Sequence, residues 1–270
     1  MINPFSPIKL ILMLGCIFSF FTASAQDYYQ GPQPPKNKSY KDDQPSINIS
    51  GFSIALSLGA AIPFKSFSST NVKNSFWDFN SSDSTKLQGF AKPGTNINVT
   101  ASYLFPNSMG IRLMIGSNSN PFDISTFTST VGVPFTSTDA FHTREYLIGP
   151  YISFSQGPKL KFEADAMIGL VTANYPSVAF SIVDTTETFS FNAGKSFGYS
   201  FGGAVKYSIT EQLDIAINAS YTQASMTYPG WTDTFTAPGY YPYVRQHTSD
   251  ITNMPMGILK ITAGIVFNFK

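Results

Sequence analysis

Apolar residues recur at every second position in a series of segments from Ser46 to the C-terminus, and the last segment is the cleanest. In Gly257 to Lys270, GILKITAGIVFNFK, one side of an extended strand would carry Leu259, Ile261, Ala263, Ile265, Phe267 and Phe269. The other side would carry Ile258, Lys260, Thr262, Gly264, Val266 and Asn268. A helical period would mix the two sets, so the pattern predicts a β-strand with one apolar face.

Seven earlier segments alternate in the same way. Ser46 to Phe64 sets Phe52, Ile54, Leu56 and Leu58 against Ser53, Ala55, Ser57 and Gly59. Asn96 to Phe105, Met109 to Asn118, Arg144 to Ser155, Leu160 to Thr172, Lys195 to Ile209 and Leu213 to Ser225 follow. Pro150 lies inside the fourth, where it removes a ladder donor and predicts a local bulge. Pro106-Asn107-Ser108, Gln156-Gly157-Pro158 and Thr210-Glu211-Gln212 have the residue types of tight turns. Between those turns run long polar connections, among them Lys65 to Pro93 and Met226 to Met254. Ser177 to Asn192 alternates around Asp184-Thr185-Thr186 and predicts a hairpin projecting from its loop. About ten residues per strand at roughly 3.3 Å each, tilted near 40°, span the roughly 25 Å apolar band of a membrane barrel. The expected fold is all-β: an eight-stranded antiparallel up-and-down transmembrane β-barrel. An even strand count places both termini on the short-turn side, which would be periplasmic, with the long loops outside the cell.

Composition agrees with that fold. The chain of 270 residues is 43% hydrophobic, 12% charged and carries a formal net charge of +1. A soluble domain has about a quarter charged residues, and a nucleic-acid partner would need a basic face. Past the N-terminus there is no run of roughly eighteen apolar residues to make a membrane helix. Residues 1–25 read as a signal peptide, with Lys9, an apolar stretch from Leu10 to Phe21, and Ala23-Ser24-Ala25 before a cut between Ala25 and Gln26. The apolar run continues past Cys16, which favours this reading over lipidation. With Cys16 removed the mature chain has no cysteine, which excludes disulfides, thiolate metal sites and a cysteine nucleophile. Residues 26–46, QDYYQGPQPPKNKSYKDDQPS, lack a period and read as a flexible Pro-rich periplasmic leader, leaving 47–270 as the barrel domain.

The turn rhythm, the ending Gly59-Ala60-Ala61-Ile62-Pro63-Phe64 of the first strand and the terminal Val266-Phe267-Asn268-Phe269-Lys270 resemble the small OmpA/OmpX-type barrels, the "porin family" domains of Gram-negative bacteria. The resemblance covers about Ile47 to Lys270. It implies residence in the outer membrane among its lipid and lipopolysaccharide. It also implies that the barrel-assembly machinery reads Phe267 and Phe269, here displaced by one residue because the chain ends on Lys270.

The polar face holds four acids and four bases: Arg112, Glu145, Lys161, Glu163, Asp165, Lys206, Asp214 and Lys260. Side chains fill a barrel of this size, and unpaired buried charge costs several kcal/mol, so a salt-bridged lumen is expected. The alternative is a path for small solutes or lipophilic molecules. His142 and His247 are the histidines. Both fall near the outer ends of strands, as in outer-leaflet lipid-modifying enzymes, but their flanking residues do not match those motifs. Neither a metal-ligand cluster nor a cofactor loop is present. The long connections carry Phe76, Trp77, Phe79, Phe122, Phe127, Phe135, Phe180, Phe189, Phe191, Tyr228, Trp231, Phe235, Tyr240, Tyr241 and Tyr243. These aromatics would anchor the outer interface and pack the loops, or bind an extracellular glycan, lipid headgroup or protein. The function expected is non-enzymatic, structural or surface-interacting.

Overall fold

The computed structural model describes residues 51–78, 85–137 and 139–269, without the side chains of 249–251. The signal peptide with its cut at Ala25 and Gln26, the leader, Phe79 and Lys270 lie outside the described residues. In chain order the elements are β1 (Gly51–Lys65), β2 (Gly94–Leu104), β3 (Met109–Pro121), α1 (Ile124–Val131), β4 (Phe135–Thr136), β5 (Ala140–Gln156), β6 (Leu160–Asn174), β7 (Val178–Ile182), β8 (Thr185–Phe191), β9 (Gly194–Ser208), β10 (Leu213–Thr236) and β11 (Tyr243–Phe269).

Eight long strands pair in the order β1–β2–β3–β5–β6–β9–β10–β11 and close antiparallel from β11 back to β1. The seam runs from Phe52 opposite Phe269 to Lys65 opposite Met256, and closure leaves the ring without an edge. Outside, Leu58, Ile97, Ile115, Ile168, Phe197 and Ile217 are exposed in a belt, which only lipid would cover. The fold is therefore an eight-stranded antiparallel transmembrane β-barrel.

The largest departure from the alternation reading is at the end of the chain. Met226 to Met254 is not a loop: β10 has 24 residues and β11 has 27, and they stay paired up to Phe235 opposite Tyr243. The reason is an inversion of polarity. Along β10 the outward residues Ile215, Ile217 and Tyr221 give way to Gln223, Ser225 and Thr227, while the inward ones change from Asp214 and Asn218 to Ala224, Met226 and Tyr228. Lipid surrounds the lower part and water the upper, so the apolar face switches from outside to inside. A reading that equates apolar with outward loses the strand there. One bulge interrupts the hairpin between Pro229 and Trp231. Gly230 makes it possible: its φ is 86°, and a Cβ would stand 2.6 Å from the His247 carbonyl oxygen.

Pro150 makes no bulge. Register is unchanged across it, with Ile111 opposite Pro150 on one side and the β6 ladder resuming at Tyr151 opposite Asp165. A missing N–H costs a ladder hydrogen bond but needs no inserted residue. The expected hairpin forms as β7 and β8, which join β10 above the belt, and β4 extends the same sheet. Helix α1 has no counterpart in the periodicity reading, and its ISTFTSTV sequence is a poor helix former. Tertiary context holds it: Asp123 caps it by accepting from the Thr126 N–H at 3.2 Å, Gly132 ends it at φ 80°, and Phe127 is fully buried.

Candidate functional site: the lumen and its cap

The lumen is layered, and each layer follows from which inward residues meet at one height. Nearest the short turns, Lys161 Nζ lies 3.1 Å from Asp214 Oδ2, which also accepts from Asn268 Nδ2 at 3.0 Å. Above them Arg112 ties β3 to β6. Its Nη1 is 2.7 Å from Asp165, Nη2 contacts Glu163, Nε donates to Ser102 Oγ at 3.0 Å, and the guanidinium lies 4.4 Å from the centre of the Tyr151 ring. Lys206 Nζ reaches the other Glu163 oxygen at 2.7 Å. Two cations thus face two carboxylates. Beside them is a cavity of about 40 Å³, bordered by Asp165, Asn218 and Ser220 and large enough for ordered water. Gly202 leaves the space for Asp165, since a Cβ there would be 2.9 Å from Oδ1.

Met114, Leu147 and Met167 form a buried apolar layer over this polar floor. The next layer is polar again. Lys260 contacts Glu145 and donates to Thr222 Oγ1 at 2.8 Å, and Asn118 Nδ2 donates to Glu145 at 2.9 Å. Asn96 and Asn98 extend the chain of hydrogen bonds, at 2.7 and 2.8 Å. Each of the eight charged positions on the polar face is thereby placed inside the barrel in an ion pair.

Above Lys260 the interior is aromatic. Trp77, Phe90, Phe127, Tyr175 and Tyr228 are buried together with Met226, Met254 and Met256. Trp77 meets Phe127 edge-on at 5.0 Å and donates from Nε1 to Tyr175 at 3.1 Å, while the Tyr175 hydroxyl donates to the Gln88 carbonyl at 2.7 Å. Burial pushes both phenols well above the ordinary tyrosine range: Tyr175 against the opposing hydrogen bond from Trp77, Tyr228 with a further push from Tyr175. Phe76, Phe122, Phe135, Phe189 and Phe191 join this cap by ring contacts. These loop aromatics turn inward, so they pack loops and do not anchor an interface. Phe67, Leu87 and the inward methionines were missed by alternation alone. The inverted pattern of Met254, Met256 and Ile258 was the sign that could have found the methionines, whereas Phe67 and Leu87 lie between β1 and β2, where no period marks them.

The two histidines are not brought together. His142 is exposed on β5, and His247 lies on β11, which has no pairing with β5. His247 stacks on Trp231 at 3.7 Å and 4°, with Nε2 at 3.5 Å from the buried Asp233. Arg245 approaches the other Asp233 oxygen at 3.7 Å. Burial and then the nearby Asp233 raise the Glu187 carboxyl, opposed by Arg245. Among the described residues no group of His, Cys, Asp and Glu is arranged to hold a metal.

A ring of eight strands, an outward apolar belt and a filled lumen define a small, closed transmembrane barrel. No protein-family profile and no curated protein matches the chain. Solved structures with a similar course include Neisserial surface protein A, at 13% identity and TM-score 0.44 over 82% of this chain and 98% of that one. A major outer membrane protein from Thermus thermophilus is 11% identical, with TM-score 0.47 over 81% and 99%. The attachment invasion locus protein of Yersinia pestis is 11% identical, with TM-score 0.39 over 82% and 100%. No residue role is carried over from them.

Proposed function

We propose that the protein is a non-enzymatic outer-membrane barrel whose lumen is shut and whose work is done by the sheet it holds outside the cell. The observation that carries this reading is the stacking of separate closures in one lumen. The Met114, Leu147 and Met167 layer, the Glu145 and Lys260 pair and the aromatic cap lie one above another. An ion would have to pass an apolar layer and a buried ion pair, each costing several kcal/mol to disrupt. In this reading lipid and lipopolysaccharide surround the belt, the termini are periplasmic, the assembly machinery uses the β11 end, and no substrate is turned over.

The test is electrical. Purified protein in a planar bilayer is expected to give no sustained conductance. Steady, reproducible channels would overturn the closed-lumen reading in favour of solute transport. Release of acyl chains from phospholipid or lipid A by the same preparation would overturn the non-enzymatic one.

A further inference from the structure

Among the described residues, the large apolar side chains left exposed fall into two groups. One lies on the lipid-facing belt and its rims. The other consists of Ile182 (63% exposed), Val183 (92%), Tyr240 (80%), Tyr241 (98%), Tyr243 (61%) and Val244 (50%). These six belong to two turns that the sheet sets side by side: Ile182 pairs with Thr185, Thr186 with Thr236, and Phe235 with Tyr243. They make one apolar crest at the long-loop end of the barrel sheet. Ser225 to Thr236 is roughly 36 Å of strand, so even when tilted near 40° the crest stands roughly 25–30 Å beyond the apolar band, out of reach of the protein's own bilayer.

Two costs coincide there. Exposed apolar surface is unfavourable, and Val183 is a β-branched residue at φ 55°, a conformation such residues rarely adopt. It is the first position of the two-residue turn closed by Ile182 and Thr185, which calls for a positive φ that glycine would adopt without strain, yet the 92% exposed valine is kept there. Strain kept at an exposed position points to a use for the surface.

We infer that the crest is a homophilic contact, binding the crest of a second copy of this chain in a facing membrane. Three features select that occupant. The crest has an aromatic end (Tyr240, Tyr241, Tyr243) and an aliphatic end (Ile182, Val183), so a two-fold axis through its middle apposes rings with aliphatic groups. Charge follows the same symmetry: Arg245, whose side chain is 51% exposed, flanks the aromatic end, and the exposed Asp184 flanks the aliphatic one. In a two-fold contact each Arg245 meets the other copy's Asp184, the self-complementarity that an isologous interface requires. Finally, the crest's whole exposed apolar area is on the order of 900 Å², and a ridge meeting a ridge covers only part of it, short of the roughly 800 Å² per partner of a stable interface. A single contact is weak, and an array between two membranes gains avidity. The inference requires the long-loop end to face outward and does not depend on the lumen being closed.

The experiment uses phospholipid vesicles carrying the full-length mature protein, in two populations labelled with donor and acceptor lipids. Protein-bearing vesicles are expected to cluster with each other and not with protein-free vesicles. Asp184→Arg and Arg245→Asp are each expected to lower clustering about fivefold, because each places like charges opposite one another. Mixing the two variant populations restores both opposite-charge pairs and with them the clustering. Val183→Gly keeps heat-modifiable gel mobility, since it relieves strain, yet weakens clustering. Dispersed wild-type vesicles overturn the inference. So do equal clustering with protein-free vesicles, which indicates a lipid occupant, and a mixed population no better than either variant alone. Ion leak from vesicles that still cluster would fault only the closed lumen.

Discussion

Lys260 shows how a residue can be legible in the sequence while its partner is not. Alternation places it on the inward face, but nothing local says that its partner is Glu145, 115 residues away. That pairing exists because β5 and β11 face each other across the lumen. Removing one member of a buried pair strands the other charge. Lys260→Met is therefore expected to destabilise the refolded barrel by roughly 3–5 kcal/mol in urea titration. Adding Glu145→Gln should recover most of the loss. A single variant as stable as the wild type would show that Glu145 has another cation. Asp233 is the opposite case: it sits in a stretch read as loop, and only the β10–β11 hairpin turns it inward beside Arg245 and His247.

At the scale of elements, the aromatic cap and α1 depend on each other. Asp123 caps α1, and although burial pushes its carboxyl up, the Lys92 ammonium, the Ser125 hydroxyl and the Thr126 N–H and hydroxyl hold it well below the usual carboxylate range. Within the cap the two buried tyrosines should behave differently. Tyr175 accepts a hydrogen bond from Trp77 and donates one to the Gln88 carbonyl, whereas the buried Tyr228 hydroxyl has no partner among the described residues. Tyr175→Phe is expected to cost about 1–2 kcal/mol and Tyr228→Phe to be neutral or stabilising. The raised phenol pKa values fix the sign with pH. Because the folded state keeps these protons longer than the unfolded chain, their contribution is full below about 10 and is lost as pH rises through the folded values. Ultraviolet titration should find their phenolates appearing together with loss of the near-ultraviolet signal of the cap. Phenolate formation in an intact cap would contradict this.

For the whole molecule, closure is the decisive event. Phe269 lies opposite Phe52 with ring centroids 5.8 Å apart, and Phe267 lies opposite Ile54. Deleting Phe267 to Lys270 removes the end of the seam and exposes two edges. The truncated chain is expected to be depleted from the outer membrane at least about tenfold relative to the intact one, as closed barrels leave no unpaired edge in lipid. Normal levels of a heat-modifiable truncated form would show that the seam tolerates its loss.

The sequence by itself determined the eight spanning strands, their short turns and which residues face the lumen. In that zone the two faces meet lipid and a packed polar interior, and a period-two pattern reports the difference at every residue. The tertiary structure alone decided the length of β10 and β11, the layered pairing inside and the aromatic cap. Beyond the membrane the outside is wet, so the apolar face is the inner one. Identical alternation then encodes the opposite orientation, and which residues meet across a closed ring depends on strands far apart in the chain.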